Sequence, residues 1–155
     1  MTTAPKILAI PGSLRRGSYN RKLLAAAVAG ALGAGADVTL LDLRDFDLPP
    51  YDGDLEQRTG LPEGARRLKQ VLIARQGFLI ASPEYNSSVS GTLKNAIDWA
   101  SRPESDDEPE LVAFDGKISR SAARPRTPPK RPGEAAISAT TRGVIAHAYP
   151  EPTSA

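Results

Sequence analysis

Three short apolar runs, each followed by a stretch with helical periodicity, confine this chain to very few architectures. Lys6–Ile10 (KILAI), Val38–Leu41 (VTLL) and Gly77–Ala81 (GFLIA) have strand length and read as short buried strands. Ser18 or Asn20 caps a helix running to about Leu32, with Leu23, Leu24, Ala27, Val28 and Ala31 on its buried face. A second helix runs from Pro62 or Glu63 to Arg75, with Ala65, Leu68, Val71 and Leu72 inward. Ser90 caps a third over Thr92–Ser101, with Leu93, Ala96, Ile97 and Ala100 on one side and Lys94 placed to pair with Asp98. Pro103 ends that helix, Glu104–Glu110 is an acidic loop, and Asp45–Gly60 reads as loop because of its Pro, Gly and Asp content. Strand alternating with helix is the pattern of an α/β fold, a parallel sheet with helices on both faces. Right-handed crossovers make it doubly wound. Ligands in such sheets bind outside the carboxyl ends of the strands.

Composition removes several classes of chemistry. With 155 residues the chain suits one domain, and without cysteine it forms no disulfide or thiolate site. His147 is the one histidine, so a histidine-rich metal site is excluded. Asp106, Asp107 and Glu108 cluster but fit no calcium-loop spacing, and no metal site is expected. The apolar run Ile7–Ile10 is too short for a membrane span or a signal-peptide core, so the expected location is the cytoplasm, with no membrane partner. Residues 1–117 carry 14 Lys/Arg against 16 Asp/Glu, and residues 118–155 carry 6 against 2. The basic balance therefore belongs to the tail and gives no case for nucleic-acid binding.

Two segments at strand ends stand out. Gly12-Ser-Leu-Arg-Arg-Gly-Ser-Tyr-Asn20 joins the first strand to a helix N-terminus, where free N–H groups and the helix dipole favour an anion. Ser13, Ser18, Asn20 and Arg15 could complete a cradle for a phosphomonoester; the segment is neither GxGxxG nor a Walker loop. A polar turn with a helix cap explains it about as well. Ser82-Pro-Glu-Tyr-Asn-Ser-Ser-Val-Ser-Gly91 follows the third strand. Tyr85 is suited to pack against a planar heterocycle and Asn86 to bond its carbonyls, with Glu84 either nearby or fixing the loop through backbone N–H groups. These are also ordinary turn residues. Trp99 reads as core or dimer contact rather than catalytic, and Tyr51 as a residue bordering the site or simply an exposed loop tyrosine.

Taken together, Gly-Ser-Leu-Arg-x-Gly-Ser-x-Asn and Pro-Glu-Tyr-Asn-x-Ser-x-x-Gly-x-Leu-Lys-Asn-Ala-Ile-Asp-Trp resemble the NADPH-dependent FMN reductase family, which has a flavodoxin-like fold. The likeness runs from Lys6 to about Lys117, with Leu48-Pro-Pro-Tyr51 and Phe114-Asp-Gly-Lys117 as further landmarks. The resemblance implies that Ser13, Arg15, Ser18 and Asn20 hold the phosphate of FMN and that Pro83, Glu84, Tyr85 and Asn86 line its ring. It implies NAD(P)H as co-substrate and electron transfer to a quinone, azo dye, metal oxyanion or free flavin. It further implies a homodimer or tetramer pairing through the region after the flavin loop, and no protein residue acting as general acid or base. The readings from other classes are a non-enzymatic flavodoxin-type electron carrier and an inactive truncated member. The Gly12–Asn20 segment does not match the flavodoxin phosphate loop, and the near-neutral first 117 residues lack a flavodoxin's acidity.

The resemblance stops after Lys117. The family continues with an apolar strand, a Ser/Gly-rich loop, a helix, a fifth strand and a last helix. Residues 118–155 instead carry Pro125, Pro128, Pro129, Pro132, Pro150 and Pro152 among Arg, Thr and Ala. The expected organisation is thus an FMN-binding unit over 1–117, lacking recognisable fourth and fifth strands of a 2-1-3-4-5 sheet, and an irregular tail over 118–155. A reading-frame shift near codon 118 or a mispredicted gene would explain the change, since a shifted frame of GC-rich coding DNA tends to be rich in Arg, Pro and Ala. Only Ala135–Ala139 and Gly143–Tyr149 escape the prolines well enough to hold a regular element. The expected consequence is that the third strand becomes an edge.

Overall fold

The computed structural model describes residues 3–109 and 111–122, and in addition the backbone of 137–138 and 147–148; for 118–122 too only the backbone is described. The strands are β1 (Lys6–Pro11), β2 (Asp37–Leu40), β3 (Gly77–Tyr85), β4 (Ser88–Val89) and β5 (Ile118–Ala122), with two-residue strands β6 (Ile137–Ser138) and β7 (His147–Ala148). The helices are α1 (Tyr19–Gly33), α2 (Gly53–Thr59), α3 (Glu63–Ile73) and α4 (Gly91–Ala100).

The main sheet has the order β2-β1-β3-β5, and all three of its pairings are parallel. Alternation along the strands divides the core between its faces. Leu8, Ile10, Phe78 and Ile80 pack with Leu68 and Leu72 of α3 and with Leu93, Ala96 and Ala100 of α4. Ala9 and Ala81 point the other way, against Leu24 and Val28 of α1. Helices therefore cover both faces, as the strand–helix alternation predicts. Helices α1 and α4 start on their expected caps: Ser18 accepts from Asn20 N–H and Ser90 from Leu93 N–H, the arrangement that satisfies otherwise orphaned first-turn donors.

Three expectations need correcting. First, β3 is not an edge. Ile118–Ala122 lies parallel beside it, Gly77 opposite Ile118 and Ile80 opposite Ser121. The prolines that rule out a strand begin only at Pro125. Before them, the open hydrogen-bonding side of β3 outweighs the weak strand preference of Ser, Arg and Ala. Second, Asp45–Gly60 is not all loop: Asp52 caps α2 through Asp54 and Leu55 N–H, and Gly60 closes it at φ +70° by donating to Glu56. Third, β3 runs through to Tyr85, so the supposed loop 82–90 is mostly a hairpin. Beyond these expectations, α3 buries a lysine. Lys69 is 1% exposed, and its ammonium donates to Arg102 O at 2.7 Å and to the Glu108 carboxylate. The acidic loop is thereby an anchor for α3, and no metal-binding group of carboxylates exists among the described residues.

β6 and β7 fall inside the two segments that escape the prolines, and β6 pairs antiparallel with β5 while β7 pairs parallel with Ser82–Pro83. The remainder of the tail lies outside the described residues.

Candidate active site

At the carboxyl ends of β1 and β3 the two distinctive segments come together. Gly12 N–H donates to Ala81 O at 2.7 Å, and the Ser90 hydroxyl donates to Gly12 O. Ser90 N–H donates to Ser82 Oγ at 3.2 Å, and that hydroxyl passes its own hydrogen to Pro83 O at 3.0 Å. The approach is so close that a Cβ on residue 12 would stand 2.6 Å from Ser82 Oγ and 2.7 Å from Ser82 Cβ. Only glycine fits there.

From Gly12 the chain turns into the N-terminus of α1. Ser13, Ser18 and Asn20 are buried, and Arg15 is exposed with no ion-pair partner among the described residues. Ser13 Oγ accepts from Arg15 N–H at 3.3 Å and Ser18 Oγ from Asn20 N–H at 3.2 Å. Both hydroxyls thus spend a lone pair on the backbone, and neither donates its hydrogen to a described acceptor. Asn20 Oδ1 is buried without a partner, an uncommon state for a polar atom unless it faces a ligand or an amide that turns over to present Nδ2. No acidic side chain lies in the first turn of α1. Unused donors, an unpaired guanidinium and a positive helix end suit an anion such as the phosphate of FMN.

Arg21 was not singled out by sequence reasoning, yet it braces this turn. Its Nε donates to Ser13 O at 3.2 Å and its Nη2 to Asp42 at 3.2 Å, just past β2. Hydrogen bonds from Arg44, then from Arg21, hold the Asp42 carboxyl well below the usual carboxylate range.

The second segment is a tight hairpin. Glu84 pairs with Val89 and Tyr85 with Ser88, and the two turn residues Asn86 and Ser87 have φ of 53° and 61°. Positive φ at both positions is the type I′ geometry whose twist matches paired strands. Asn tolerates it; Ser at the second position does so at a cost, since glycine is the usual residue there. Pro83 is buried, Glu84 half-buried, Tyr85 54% exposed and Asn86 exposed. The Tyr85 ring is therefore presented at the surface. Glu84 makes no side-chain hydrogen bond among the described residues; strand pairing, not its carboxylate, fixes the segment.

Leu48-Pro-Pro-Tyr51 is clamped onto α4. Pro49 O accepts from both Asn95 Nδ2 at 2.9 Å and Trp99 Nε1 at 2.7 Å, and Tyr51 N–H donates to Asn95 Oδ1 at 2.8 Å. Trp99 is fully buried, with Tyr51 edge-on to it at 5.0 Å, which makes it core, as expected. The Tyr51 hydroxyl donates to Glu56, and that bond raises the phenol's pKa. Burial pushes the Glu56 carboxyl up, but hydrogen bonds from Arg102 and Tyr51 more than offset it, and the net shift is downward. Two open concavities, of about 520 and 590 Å³, lie beside Tyr51–Arg102 and beside Asp47–Arg67. Neither is lined by the Gly12–Asn20 or Ser82–Ser90 segments, so the candidate site rests on unsatisfied donors rather than on a hollow.

The chain is similar to known proteins. An NAD(P)H-dependent FMN reductase of Pseudomonas aeruginosa is 44% identical over 98 residues, covering 63% of this chain and 51% of the relative. A 2-hydroxy-1,4-benzoquinone reductase of a Burkholderia species is 44% identical over 100 residues, covering 64% and 52%. The chain thus spans about half the length of these relatives. Among solved structures, the flavoenzyme NAD(P)H:(acceptor) oxidoreductase FerB of Paracoccus denitrificans superposes with a TM-score of 0.62 at 34% identity, covering 77% of this chain and 60% of its own. The family pattern described as NADPH-dependent FMN reductase matches residues 5–122, through β5 and five residues past the Lys117 limit read from the sequence. With that match over most of its length, the chain belongs to the NADPH-dependent FMN reductase family.

Proposed function

We propose that this chain is the FMN-binding part of an oxidoreductase that passes electrons from NAD(P)H through FMN to a quinone. One observation carries the reading: buried hydroxyls with unspent hydrogens, a buried amide whose oxygen has no partner and an arginine unpaired among the described residues surround one helix N-terminus, hydrogen-bonded to the segment that presents the Tyr85 ring. Ser13, Arg15, Ser18 and Asn20 hold the phosphate. Pro83, Glu84, Tyr85 and Asn86 border the ring, where Tyr85 offers a face or edge and Asn86 an amide. When bound, FMN would supply the electron chemistry between NAD(P)H and the acceptor. The protein's part is orientation and electrostatics, so no side chain is assigned as general acid or base.

Quinone comes first among acceptors because relatives carry quinone reductase names. Azo dyes, metal oxyanions and free flavin are further candidates for the same site. The reading includes a functional unit ending at the close of β5, a cytoplasmic location, and assembly as a homodimer or tetramer. No helix among the described residues is long and apolar enough to cross a membrane.

The test is FMN titration of the purified chain by flavin fluorescence, followed by NADPH and NADH oxidation with and without a benzoquinone. Saturable uptake and quinone-dependent oxidation are expected. Uptake without direct NAD(P)H oxidation would make it an electron carrier instead. A folded chain that takes up no FMN at high concentration would sink the reading.

A further inference from the structure

Ser90 does more than start a helix. It is 4% exposed, and its polar groups reach three segments, its carbonyl accepting from Lys94 N–H of α4. Its Oγ lone pair takes Leu93 N–H of α4, and its single hydroxyl hydrogen goes to Gly12 O. Its backbone N–H goes to Ser82 Oγ. The next carbonyl along, Ser13 O, accepts from Arg21. The Gly12–Asn20 turn is therefore held at two consecutive carbonyls, and one of the two holds comes from the residue that follows the returning strand β4 and caps α4.

We propose that Ser90 is a positioning residue that fixes the spacing between the anion-binding turn and the hairpin, and so sets affinity for a ligand that must reach both. This rests on the FMN reading above. A ligand with a phosphate at one end and a planar ring at the other behaves as two linked binders. The second contact forms at an effective concentration that collapses if the two subsites drift apart. A ligand with the ring alone is insensitive to that spacing. A hydroxyl serving only as helix cap predicts no such distinction.

The experiment compares FMN with riboflavin, which lacks the phosphate, on the full chain. Ser90→Gly removes the hydroxyl while keeping a residue tolerated at helix starts. Ser90→Thr restores hydroxyl and cap. Affinities are read by fluorescence titration, and folding by thermal unfolding. Ser90→Gly is expected to weaken FMN about tenfold and riboflavin less than about twofold, with Ser90→Thr returning FMN close to wild type. Unchanged FMN affinity in Ser90→Gly overturns the proposal, and so does an equal loss for FMN and riboflavin, which would reduce Ser90 to a structural cap. Absence of FMN uptake by the unsubstituted chain is a separate result that overturns the functional reading and the positioning role together.

Discussion

The indole N–H of Trp99 donates to the carbonyl of Pro49 at 2.7 Å, fifty residues away in the chain. That bond, with the Asn95 amide on the same oxygen, turns a proline-rich segment into a fixed wall against α4. A carbonyl with two donors keeps one when the other is removed. Trp99→Phe should therefore cost only about 1–2 kcal/mol, one hydrogen bond plus some lost packing. Trp99→Ala, which empties a fully buried site, should cost about 3–5 kcal/mol. Chemical unfolding of both variants checks this; equal losses would mean that the ring's volume is unimportant.

Arg15 extends from the anion-binding turn into solvent and pairs with nothing described. Its removal should leave the melting temperature unchanged. A charge-assisted contact to phosphate is worth about 1.5–3 kcal/mol, so Arg15→Ala should weaken FMN roughly tenfold to a hundredfold. Riboflavin affinity should be unaffected. If FMN binds Arg15→Ala as tightly as wild type, the phosphate lies elsewhere.

Acid stability should depend on Glu108. The hydrogen bond from Lys69, helped by Glu104 N–H, lowers its carboxyl below the ordinary value of 4.5. A depressed folded pKa contributes stability that is fully present above the unfolded value and is lost as pH falls through the folded one. The wild-type melting temperature should thus be flat above about pH 5 and drop on further acidification, with Asp42 adding to the fall. Glu108→Gln should start lower at neutral pH by about 1–2 kcal/mol and lose less in acid. Parallel pH profiles for the two proteins would show that this pair carries no linkage.

How much of this was legible from the sequence depended on whether the signal was local. Strand–helix alternation and the caps Ser18 and Ser90 are local, and the structure follows them closely. The buried pairing of Lys69 was invisible because its partners, Arg102 and Glu108, are more than thirty positions away, and a lysine among apolar helix residues ordinarily faces water. Helix α2 was hidden by the composition of its surroundings: Asp52 and Gly60 read as loop residues but serve as its two caps. β5 was missed for another reason. Ile-Ser-Arg-Ser-Ala has little strand preference of its own, and it pairs because β3 offers a free ladder. At the site, residue types pointed to an anion and a ring, whereas the bonds joining Gly12, Ser82 and Ser90 are purely tertiary.

Gly12 gives the sharpest test of that junction. A methyl group added there meets Ser82 Oγ at 2.6 Å, Ser82 Cβ at 2.7 Å and Ser82 Cα at 3.0 Å. The obstruction is a side chain root and a backbone atom, not a flexible tip, so rotating Ser82 does not relieve it. Gly12→Ala should therefore force β1 and β3 apart at their carboxyl ends and destabilise the fold by about 1–3 kcal/mol, the usual range for overpacking. It should also stretch the bonds from Gly12 N–H to Ala81 and from Ser90 to Gly12 O, weakening FMN more than riboflavin. A second substitution separates the contributions. Ser82→Ala removes only the hydroxyl and leaves the 2.7 Å contact, so it should rescue little. Ser82→Gly removes both side-chain atoms and leaves only Cα, so it should recover a clear part of the lost stability when combined with Gly12→Ala. A double-mutant cycle on thermal unfolding measures the coupling. Coupling as strong with Ser82→Ala as with Ser82→Gly would place the obstruction at the hydroxyl and contradict the backbone approach described for this junction.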